Sequence, residues 1–322
     1  MRIALLGGTR FIGRAIAVEL AAAGHELCLI HRGETEPADL PAAQHAHMDR
    51  GDRGLRDVIA ATRADALIDC YALGRADADA ALAAAPPRAR LLVLSSMDVY
   101  RAYSMLRAGG DGDPVPLDES SPVRSERYPY RGKLPGFDDY EKLDVEEAYL
   151  ARGATVCRLP MVYGEHDYQR REEFILRRVR AGRARIPFGA GNWLWSRGYA
   201  GDIARAVRLA VEHDTSGQVL NLGERRTASM ERWARDILEA AGATAELVRI
   251  PDSALPGDLE LTGAVGQHML VDSSKARALL GWEPEDPHVT LRRSVAWHLA
   301  HPPPEPELDF AADDRALASI ES

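Results

Sequence analysis

The sequence predicts an α/β fold, a doubly wound parallel sheet followed by a smaller C-terminal substrate lobe. Along the first half of the chain, short apolar runs alternate with segments long enough to form a helix. This alternation favours parallel strands joined by right-handed helical crossovers. The first apolar run, Ile3 to Leu6, leads into a glycine-rich turn and then an amphipathic helix that stops at Gly24. Strand, glycine turn and helix in this order are typical of a dinucleotide-binding site.

The glycine-rich turn at residues 7–13 reads Gly-Gly-Thr-Arg-Phe-Ile-Gly. Gly7 permits the tight turn, and Gly13 lets the helix pack closely against the strand. The helix N-terminus then presents unpaired backbone N–H groups and a partial positive charge to a pyrophosphate. Arg10 takes the place of the middle glycine of the usual three. The residues predicted to bind the dinucleotide here are Gly7, Thr9, Arg10, Phe11, Ile12 and Gly13.

Five further apolar runs predict the strands that follow, at residues 26–31, 46–48, 65–71, 90–95 and 154–159. A helical pattern at 55–62 lies between the third and fourth strands. In doubly wound sheets the ligand lies beyond the carboxyl ends of the strands. The residues at these ends are therefore the candidates for binding and chemistry. They are Gly7, Arg32, Asp49, Tyr71, Ser96 and Pro160.

Beyond Pro160 the pattern becomes mixed, with predicted helices at 170–182, 202–211 and 230–241 and a strand at 219–222. We therefore divide the chain into three parts. These are a dinucleotide-binding Rossmann domain (1–160), a substrate-side lobe with segments returning to that domain (161–300), and an acidic, proline-rich tail (301–322). The tail carries six acids and one arginine, and this composition predicts disorder.

Two other segments carry charged or aromatic side chains. The loop 109–136 is too long for an ordinary connection, which predicts a functional loop. Its Tyr128, Tyr130, Arg131 and Lys133 could close over the site as a lid or pack on the surface. Seven arginines between 170 and 185 are interrupted by two glutamates. We interpret this helix as a charged outer face, with contact to a nucleic acid or a substrate phosphate as the alternative.

The composition excludes several classes of protein. The 322 residues carry a formal net charge of −9, which argues against nucleic acid as a partner. Cys28, Cys70 and Cys157 each lie in an apolar run, which predicts buried thiols, and we expect no metal site. The sequence shows neither a signal peptide nor an apolar run of about 18 residues, which predicts a cytoplasmic protein without membrane contact.

Five segments, in this order, resemble the NAD-dependent epimerase/dehydratase family, the extended branch of the short-chain dehydrogenase/reductases. Besides the turn they are Ser-Ser-Met-Asp-Val-Tyr (95–100), Arg-Leu-Pro-Met-Val-Tyr-Gly (158–164), Tyr-Ala-Gly-Asp-Ile-Ala (199–204) and Asp-Ser-Ser-Lys-Ala-Arg-Ala-Leu-Leu-Gly-Trp (272–282). The resemblance covers residues 1–300 approximately. It implies an enzyme that binds NAD or NADP and acts on a hydroxy or keto carbon of a small polar molecule.

Catalysis in this family uses a Ser or Thr after the fifth strand and the spacing Tyr-x-x-x-Lys, whose tyrosine relays a proton while hydride moves. Ser96 and Lys142 fall at the family's serine and lysine positions, but Asp138 stands where the tyrosine is expected. The nearest tyrosine, Tyr140, lies roughly 200° around a helix from Lys142. Asp138 is a candidate base, and Tyr140 is a candidate if the helix begins late. We expect the usual tyrosine–lysine relay to be absent, and we interpret Asp98 as a turn residue.

The resemblance also suggests how the dinucleotide is chosen. Arg32 follows the second strand, where an acid would bind the ribose 2′-hydroxyl of NAD. With no acid beside it, Arg32 favours the 2′-phosphate of NADP, to which Arg10 could add a second charge, while NAD stays possible. The alternative is that Arg32 is a solvated turn residue. Asp49 resembles the family's aspartate beside the adenine, Tyr71 ends the next strand, and Lys142 is expected to hold the nicotinamide ribose.

Two alternatives to a redox enzyme stay open. One is a non-redox lyase or cyclase on the same fold. The other is a non-enzymatic protein that binds the cofactor, because some proteins with the run at 7–13, such as the chloroplast stem-loop-binding proteins, resemble RNA-associated factors. The family's pairing habit predicts a homodimer through the helix that contains Lys142. The apolar residues of that helix are Leu143, Val145, Ala148 and Leu150.

Overall fold

The computed structural model describes residues 1–106, 112–213, 215–305 and 307–320. Its strands are β1 (Arg2–Leu6), β2 (Glu26–His31), β3 (Gln44–His47), β4 (Ala66–Asp69), β5 (Arg90–Ser96), β6 (Thr155–Leu159), β7 (Met161–Tyr163), β8 (Arg185–Phe188), β9 (Arg197–Tyr199), β10 (Val219–Asn221) and β11 (Glu246–Arg249). Seven of them form one sheet in the order β10-β6-β5-β4-β1-β2-β3. Every neighbouring pair in it is parallel, which confirms the predicted fold class.

Helices cover both faces of this sheet. They are α1 (Phe11–Ala22), α2 (Leu55–Thr62), α3 (Arg75–Ala84), α4 (Arg101–Met105), α5 (Lys142–Leu150), α6 (Glu173–Arg180), α7 (Ala200–Glu212), α8 (Met230–Ala240), α9 (Ser274–Leu280), α10 (Pro287–Ala300) and α11 (Ala311–Ala318). In β1, Ile3 and Leu5 enter the core beneath α1 and α7, while Ala4 and Leu6 enter the core beneath α2, α3 and α5. Because both faces of the sheet centre are buried, β1 is an almost continuous apolar run without alternation.

The chain beyond β6 forms a second hydrophobic core and also adds a strand and a helix to the large sheet. β7 pairs with β9, and β8 pairs with β11, around a further core that includes Phe188, Met230 and Trp233. β10 returns to the edge of the large sheet beside β6, and α7 packs against α1. Segments from beyond Pro160 therefore complete the sheet that carries the glycine turn. Among the described residues, no helix combines the length and the apolar character that crossing a membrane requires.

The structure corrects the prediction of a disordered tail. Residues 311–318 form the helix α11, which packs against β8. Asp313 is fully buried, and its carboxylate accepts two hydrogen bonds of 2.7 Å from Arg178. Ala316 and Leu317 are buried beside it. Glu307, Asp313 and Asp314 of the tail pair with arginines of the same chain, and composition alone does not reveal such partners.

The same contacts correct the interpretation of the arginine-rich segment as a charged outer face. Arg177 and Arg178 are buried, and both guanidinium groups lie near Asp258 and Asp313. Arg183 pairs with Asp314 on the tail helix. Burying a guanidinium without a partner is costly, so carboxylates surround each one. Arg177 and Arg178 therefore serve internal packing.

Candidate active site

The glycine turn brings the chain closer to itself than any side chain would allow. Gly7 has a φ of +94°, and its N–H donates to the Ile30 carbonyl at 3.0 Å. A Cβ on Gly13 would lie 2.7 Å from the Gly8 nitrogen, which is closer than real Cβ atoms come. The first turn of α1 therefore sits directly on the end of β1, as predicted.

The N-terminus of α1 is left free to bind an anion. Its N-cap residue, Arg10, makes no capping hydrogen bond through its side chain, and the first turn holds no acid. The amides of Phe11, Ile12 and Gly13 begin this helix, and Thr9 is buried beside them. Free N–H groups at a helix N-terminus fit a pyrophosphate. The guanidinium of Arg10 itself lies over the ring of Tyr168, 4.4 Å from the centroid.

Of the four other residues predicted to bind the dinucleotide, Arg32, Asp49 and Tyr71 are exposed and Lys142 is buried. Arg32 pairs with Glu34 at 2.9 Å, so the premise that no acid stands beside it is wrong. Both side chains are more than 60% exposed, and such pairs contribute little. The carboxylate of Asp49 accepts from the Gly51 N–H at 2.9 Å. Tyr71 is 53% exposed at the end of β4.

Tyr140 lies outside the helix that contains Lys142. Because α5 begins at Lys142, residues 138–141 are irregular, and Tyr140 turns into the protein. Its hydroxyl donates to Asp98 Oδ2 at 2.8 Å and also reaches Ser96. Ser96 Oγ in turn accepts from the Asp98 N–H at 3.2 Å. The structure thus brings Ser96 and Tyr140 together, through an aspartate that sequence analysis took for a turn residue.

Two more tyrosines complete this group. Tyr130 donates to Asp98 Oδ2 at 3.0 Å and lies 2.9 Å from the Tyr103 hydroxyl. Tyr130 comes from the long loop, which therefore packs into the site. Residues 109–111 of that loop lie outside the described residues. Sequence analysis missed Tyr103 and Asp98. A signal for Asp98 was its position two residues after the candidate serine.

Lys142 lies beside this group. Its ammonium donates to the carbonyls of Ala72 at 2.6 Å and Leu94 at 3.0 Å, and it lies 5.8 Å from the ring centroid of Tyr140. Ala72 lies three residues after β4 and Leu94 lies near the end of β5, so Lys142 is at the carboxyl edge of the sheet. Burial lowers the pKa of Lys142 below its usual value.

Asp138 does not join Ser96 and Lys142. It is exposed, and its Oδ1 accepts from the Gly132 N–H at 2.8 Å. The expectation that Asp138 takes the tyrosine's position assumed one helix through residues 138–142. Since α5 begins only at Lys142, the spacing of four residues no longer places the two side chains on one face.

A buried ion pair holds these side chains in place. Arg124 and Glu141 are joined by two hydrogen bonds of 2.6 and 2.9 Å, and both side chains are fully buried. Arg124 Nε also donates to the Asp98 carbonyl at 3.1 Å. Glu141 further accepts from the N–H groups of Tyr128 and Leu143, capping α5. This pair therefore fixes the long loop, the start of α5 and the turn that contains Asp98.

Burial shifts the pKa values of both acidic groups in this cluster upwards. Burial raises the pKa of the Asp98 carboxyl above its usual value, against hydrogen bonds from Tyr140 and Tyr130. Burial and the nearby Asp98 raise the pKa of Tyr140. Asp98 Oδ1 is buried without a hydrogen-bond partner among the described residues. A carboxylate with raised pKa, bonded to a phenol, is suited to accept a proton.

A cleft of about 450 Å³ lies elsewhere, in the C-terminal lobe. Its lining includes Tyr163, Arg197, Glu224 and Trp233, and it shares no residue with the group around Asp98. Arg197 lies over the Trp233 ring at 4.7 Å, and burial lowers its pKa. The cleft and the group around Asp98 are therefore two separate sites of polar side chains.

Comparisons with known proteins agree with this architecture. A chloroplast stem-loop binding protein of 41 kDa from Arabidopsis thaliana is 25% identical over 337 residues, covering 98% of this chain and 84% of that protein. A dTDP-glucose 4,6-dehydratase from Bacillus anthracis, solved with NAD, matches with TM-score 0.71 at 16% identity, covering 94% of this chain and 97% of that one. A UDP-glucose 4-epimerase from Thermotoga maritima, solved with UDP-glucose, matches with TM-score 0.69 at 18% identity, covering 93% and 99%.

The two solved structures are too distant in sequence to show more than a common fold. The sequence match is more specific, because the family model of NAD dependent epimerases and dehydratases spans residues 3–223. That span includes the glycine turn, the group around Asp98 and the start of α5. The chain therefore belongs to the NAD dependent epimerase/dehydratase family.

Proposed function

We propose that this chain is an NAD(P)-dependent enzyme of the epimerase/dehydratase type, acting on a hydroxy- or keto-bearing carbon of a small polar molecule. One observation carries the proposal: Ser96, Asp98 and Tyr140 meet beside Lys142, at the sheet edge that also holds the glycine turn. Family membership supports it. So does the likeness in fold to a dehydratase solved with NAD and an epimerase solved with UDP-glucose.

The residues of the turn fit a dinucleotide. The free N–H groups of α1 would hold the pyrophosphate, and Lys142 would hold the nicotinamide ribose. An ammonium has three N–H donors, and the carbonyls of Ala72 and Leu94 take two of them. One donor is thus left for a ribose hydroxyl. The bound nicotinamide supplies the hydride acceptor or donor.

Tyr140 takes the role of the missing tyrosine in this proposal, from two residues before the lysine instead of four. Its hydroxyl would accept the proton of a substrate hydroxyl while passing its own proton to Asp98 Oδ2. The raised pKa of Asp98 makes its carboxylate a stronger base. Ser96 would orient the substrate hydroxyl. This departs from our expectation that the relay is absent.

Substituting Tyr140→Phe tests the proposal, with dTDP-glucose and UDP-glucose as probes. We expect turnover to fall about 10²- to 10⁴-fold, the usual contribution of a positioned acid–base group. Dinucleotide affinity should change little, whereas Lys142→Ala should weaken it. The measurement is product analysis together with the transient change in cofactor absorbance in a single turnover, because an epimerase or dehydratase returns the hydride within each cycle. A lyase or cyclase would form product with no such change, and an unaffected Tyr140→Phe would refute the role of Tyr140.

Two matched variants separate chemistry from packing. Tyr130→Phe removes the other phenol from Asp98 Oδ2 and should reduce turnover far less than Tyr140→Phe. Asp138→Ala changes an exposed carboxylate that does not contact the group. We expect it to leave dinucleotide binding nearly unchanged. Equal losses in Tyr130→Phe and Tyr140→Phe would indicate that both hydroxyl groups only support the structure.

The choice of NADP over NAD also belongs to the proposal. Arg32 is exposed at the end of β2, and its partner Glu34 is equally exposed, so the guanidinium is available to a 2′-phosphate. NADPH should bind more tightly than NADH. Arg32→Asp should reverse or erase that preference, and Glu34→Gln should increase it. Equal affinities for both cofactors in the unaltered chain would contradict this choice.

The homodimer through α5 stays a prediction, with less apolar surface than the sequence suggested. Val145 and Ala148 are buried within the monomer, and Leu143 and Leu150 are partly buried. Light scattering at micromolar concentration measures the oligomeric state. A monomer there would contradict the prediction.

RNA binding is a second candidate function, favoured by the name of the Arabidopsis relative. The arginines that could support it are largely engaged inside this chain: Arg178 is fully buried, and Arg180 and Arg183 each pair with a carboxylate. We therefore expect weak binding of a stem-loop RNA. Tight binding that falls steeply with salt would favour the RNA role.

A further inference from the structure

Three histidines and a glutamate converge at the carboxyl ends of β2 and β3, apart from the group around Asp98. His31 is the last residue of β2, and His45 and His47 lie on β3. In the parallel pairing, His31 stands opposite His47. Residues two apart on a strand share a face, so all three rings project from one face of the sheet. Glu36 reaches them from the loop that follows β2.

The ligand atoms of these side chains are already close. His31 Nε2 lies 2.9 Å from His45 Nδ1, His45 Nδ1 lies 3.1 Å from Glu36 Oε1, and His47 Nε2 lies 2.8 Å from Glu36 Oε2. One ligand atom from each of the four residues lies within 4.8 Å of all the others. The rings meet at steep angles, with 4.9 Å between the centroids of His31 and His47.

We propose that His31, Glu36, His45 and His47 form a binding site for one divalent transition-metal ion, with Zn²⁺ as the best match. Three imidazole nitrogens and one carboxylate oxygen are ligands that Zn²⁺ prefers in four-coordinate sites. Zinc–nitrogen bonds of about 2.0–2.1 Å in a tetrahedron place the ligand atoms roughly 3.4 Å apart. The three separations given above are slightly shorter than this, and all four ligand atoms lie within 4.8 Å of one another, so modest side-chain shifts would fit them around the ion.

The surroundings of the cluster suit a small cation. His31 is 8% exposed, while the side chains of His45, Glu36 and His47 are 21%, 39% and 55% exposed. The site is thus closed at its base and open to solvent on one side. Glu36 supplies the one negative charge among the four ligands.

The loop glycine Gly33 allows this packing. Its φ is +78°, and a Cβ there would lie 3.3 Å from the ring of His47. The Gly33 N–H donates to His31 Nδ1 at 3.2 Å, which leaves Nε2 facing His45. A metal at Nε2 would place the ring proton on Nδ1. Gly33 is exposed, so its N–H can then bind water.

The spacing His45-x-His47 is visible in the sequence, whereas His31 and Glu36 are nine or more residues away from it. Without His31 and Glu36, two histidines on a strand are also common on a solvated face. The pairing of β2 with β3 and the path of the loop bring the other two ligands to them. This proposal is therefore opposed to the expectation from the sequence that the chain has no metal site.

Zinc binding to the metal-free, nucleotide-free chain tests the proposal, measured by competition with a chromophoric chelator. We expect one ion per chain. His45→Gln and His47→Gln should each weaken the affinity at least about tenfold, and Glu36→Gln should weaken it too. The matched control is His301→Gln, an exposed histidine stacked on Trp297 away from the cluster, which should leave the affinity unchanged.

Two further measurements guard against misfolding and nonspecific binding. Zn²⁺ should raise the Tm of the unaltered chain but not that of His45→Gln, because a bound ion stabilises only a folded site. Co²⁺ should give the intense visible absorption of a tetrahedral site, and His47→Gln should lose it. Absence of stoichiometric binding, or binding unchanged in the cluster variants, would overturn the proposal.

Discussion

Two arginines, Arg124 and Arg178, are enclosed by the protein in the same manner and serve different ends. Each donates two hydrogen bonds to a fully buried carboxylate, Glu141 and Asp313 respectively. Arg124 and its partner are 17 residues apart, whereas Arg178 and its partner are 135 residues apart. The first pair closes a loop beside the candidate active site. The second attaches the tail helix to the C-terminal lobe.

The difference lies in what each arginine touches besides its carboxylate. Arg124 also donates to the carbonyl of Asp98, and Glu141 caps the helix that begins with Lys142. Arg178 donates instead to the carbonyl of Phe174 and to Asp258. Desolvation offsets much of the Coulomb energy in both pairs. Both pairs therefore act mainly by holding neighbouring segments in position. Only the first pair positions groups that we propose for catalysis.

The largest effect is expected from Glu141→Gln, which leaves Arg124 buried without a counter-charge. Breaking a buried pair in this way costs about 3–5 kcal/mol, measured as the free energy of unfolding in denaturant. Turnover should fall as well, because Tyr130 and Tyr140 lose their support. A loss of stability with full turnover would show that the two pairs do not differ as we describe.

The next largest effect is expected from Asp313→Ala, which should lower the free energy of unfolding by roughly 3 kcal/mol. The loss is smaller because Asp258 still compensates part of the charge on Arg178. We expect dinucleotide affinity and turnover to stay unchanged. Asp314→Ala is the matched control, because Asp314 pairs with Arg183 while 61% exposed, and such pairs contribute less than about 1 kcal/mol. If Asp313→Ala reduced turnover while the chain stayed folded, the tail would be linked to the active site.

Glu172, next to the start of α6, offers a pH-dependent measure of the second region. It accepts from Ser294 Oγ at 2.5 Å, and burial raises its pKa from 4.5 to about 7. Because the folded pKa is the higher one, the stabilising contribution of the protonated carboxyl is complete below pH 4.5 and is lost as the pH rises to about 7. As the pH rises across this window, the free energy of unfolding of the unaltered chain should fall by up to roughly 3 kcal/mol relative to that of Glu172→Gln.

Denaturant unfolding at several pH values measures this difference, with the exposed Glu239→Gln as control. His298 lies 3.7 Å from Glu172, and burial lowers its pKa to about 4. It is present in both proteins of the comparison and stays largely neutral above pH 4.5. A difference between Glu172→Gln and the unaltered chain that does not vary with pH would contradict the raised pKa.

The smallest effect should come from an exposed pair. Arg75 and Asp79 lie four residues apart on α3, 2.9 Å from each other and more than half exposed. Asp79→Asn should change the free energy of unfolding by less than about 0.5 kcal/mol, and added salt should reduce even that. A loss comparable to that of Glu141→Gln would show that burial does not explain the difference between these pairs.

Local sequence was sufficient for the dinucleotide-binding part. Gly7, Gly13 and the apolar run before them predicted the strand, the turn and the helix, because each depends on neighbours within about ten residues. Residues 55–62 formed the predicted helix with the predicted bounds. Tyr140 was harder to place, since its position depends on where α5 begins. That start is set by the capping of Glu141, which Arg124 holds from 17 residues away.

By itself, then, the sequence determined the parallel sheet, the glycine turn and the positions of Ser96 and Lys142, because backbone geometry and short spacings carry that information. The tertiary structure decided which charged groups lose their water. It paired Arg178 with Asp313, so an acidic tail became a docked helix. It also turned Asp98 from a turn residue into the acceptor of two tyrosine hydroxyl groups. A buried charge needs a partner, and the partner comes from wherever the fold brings it.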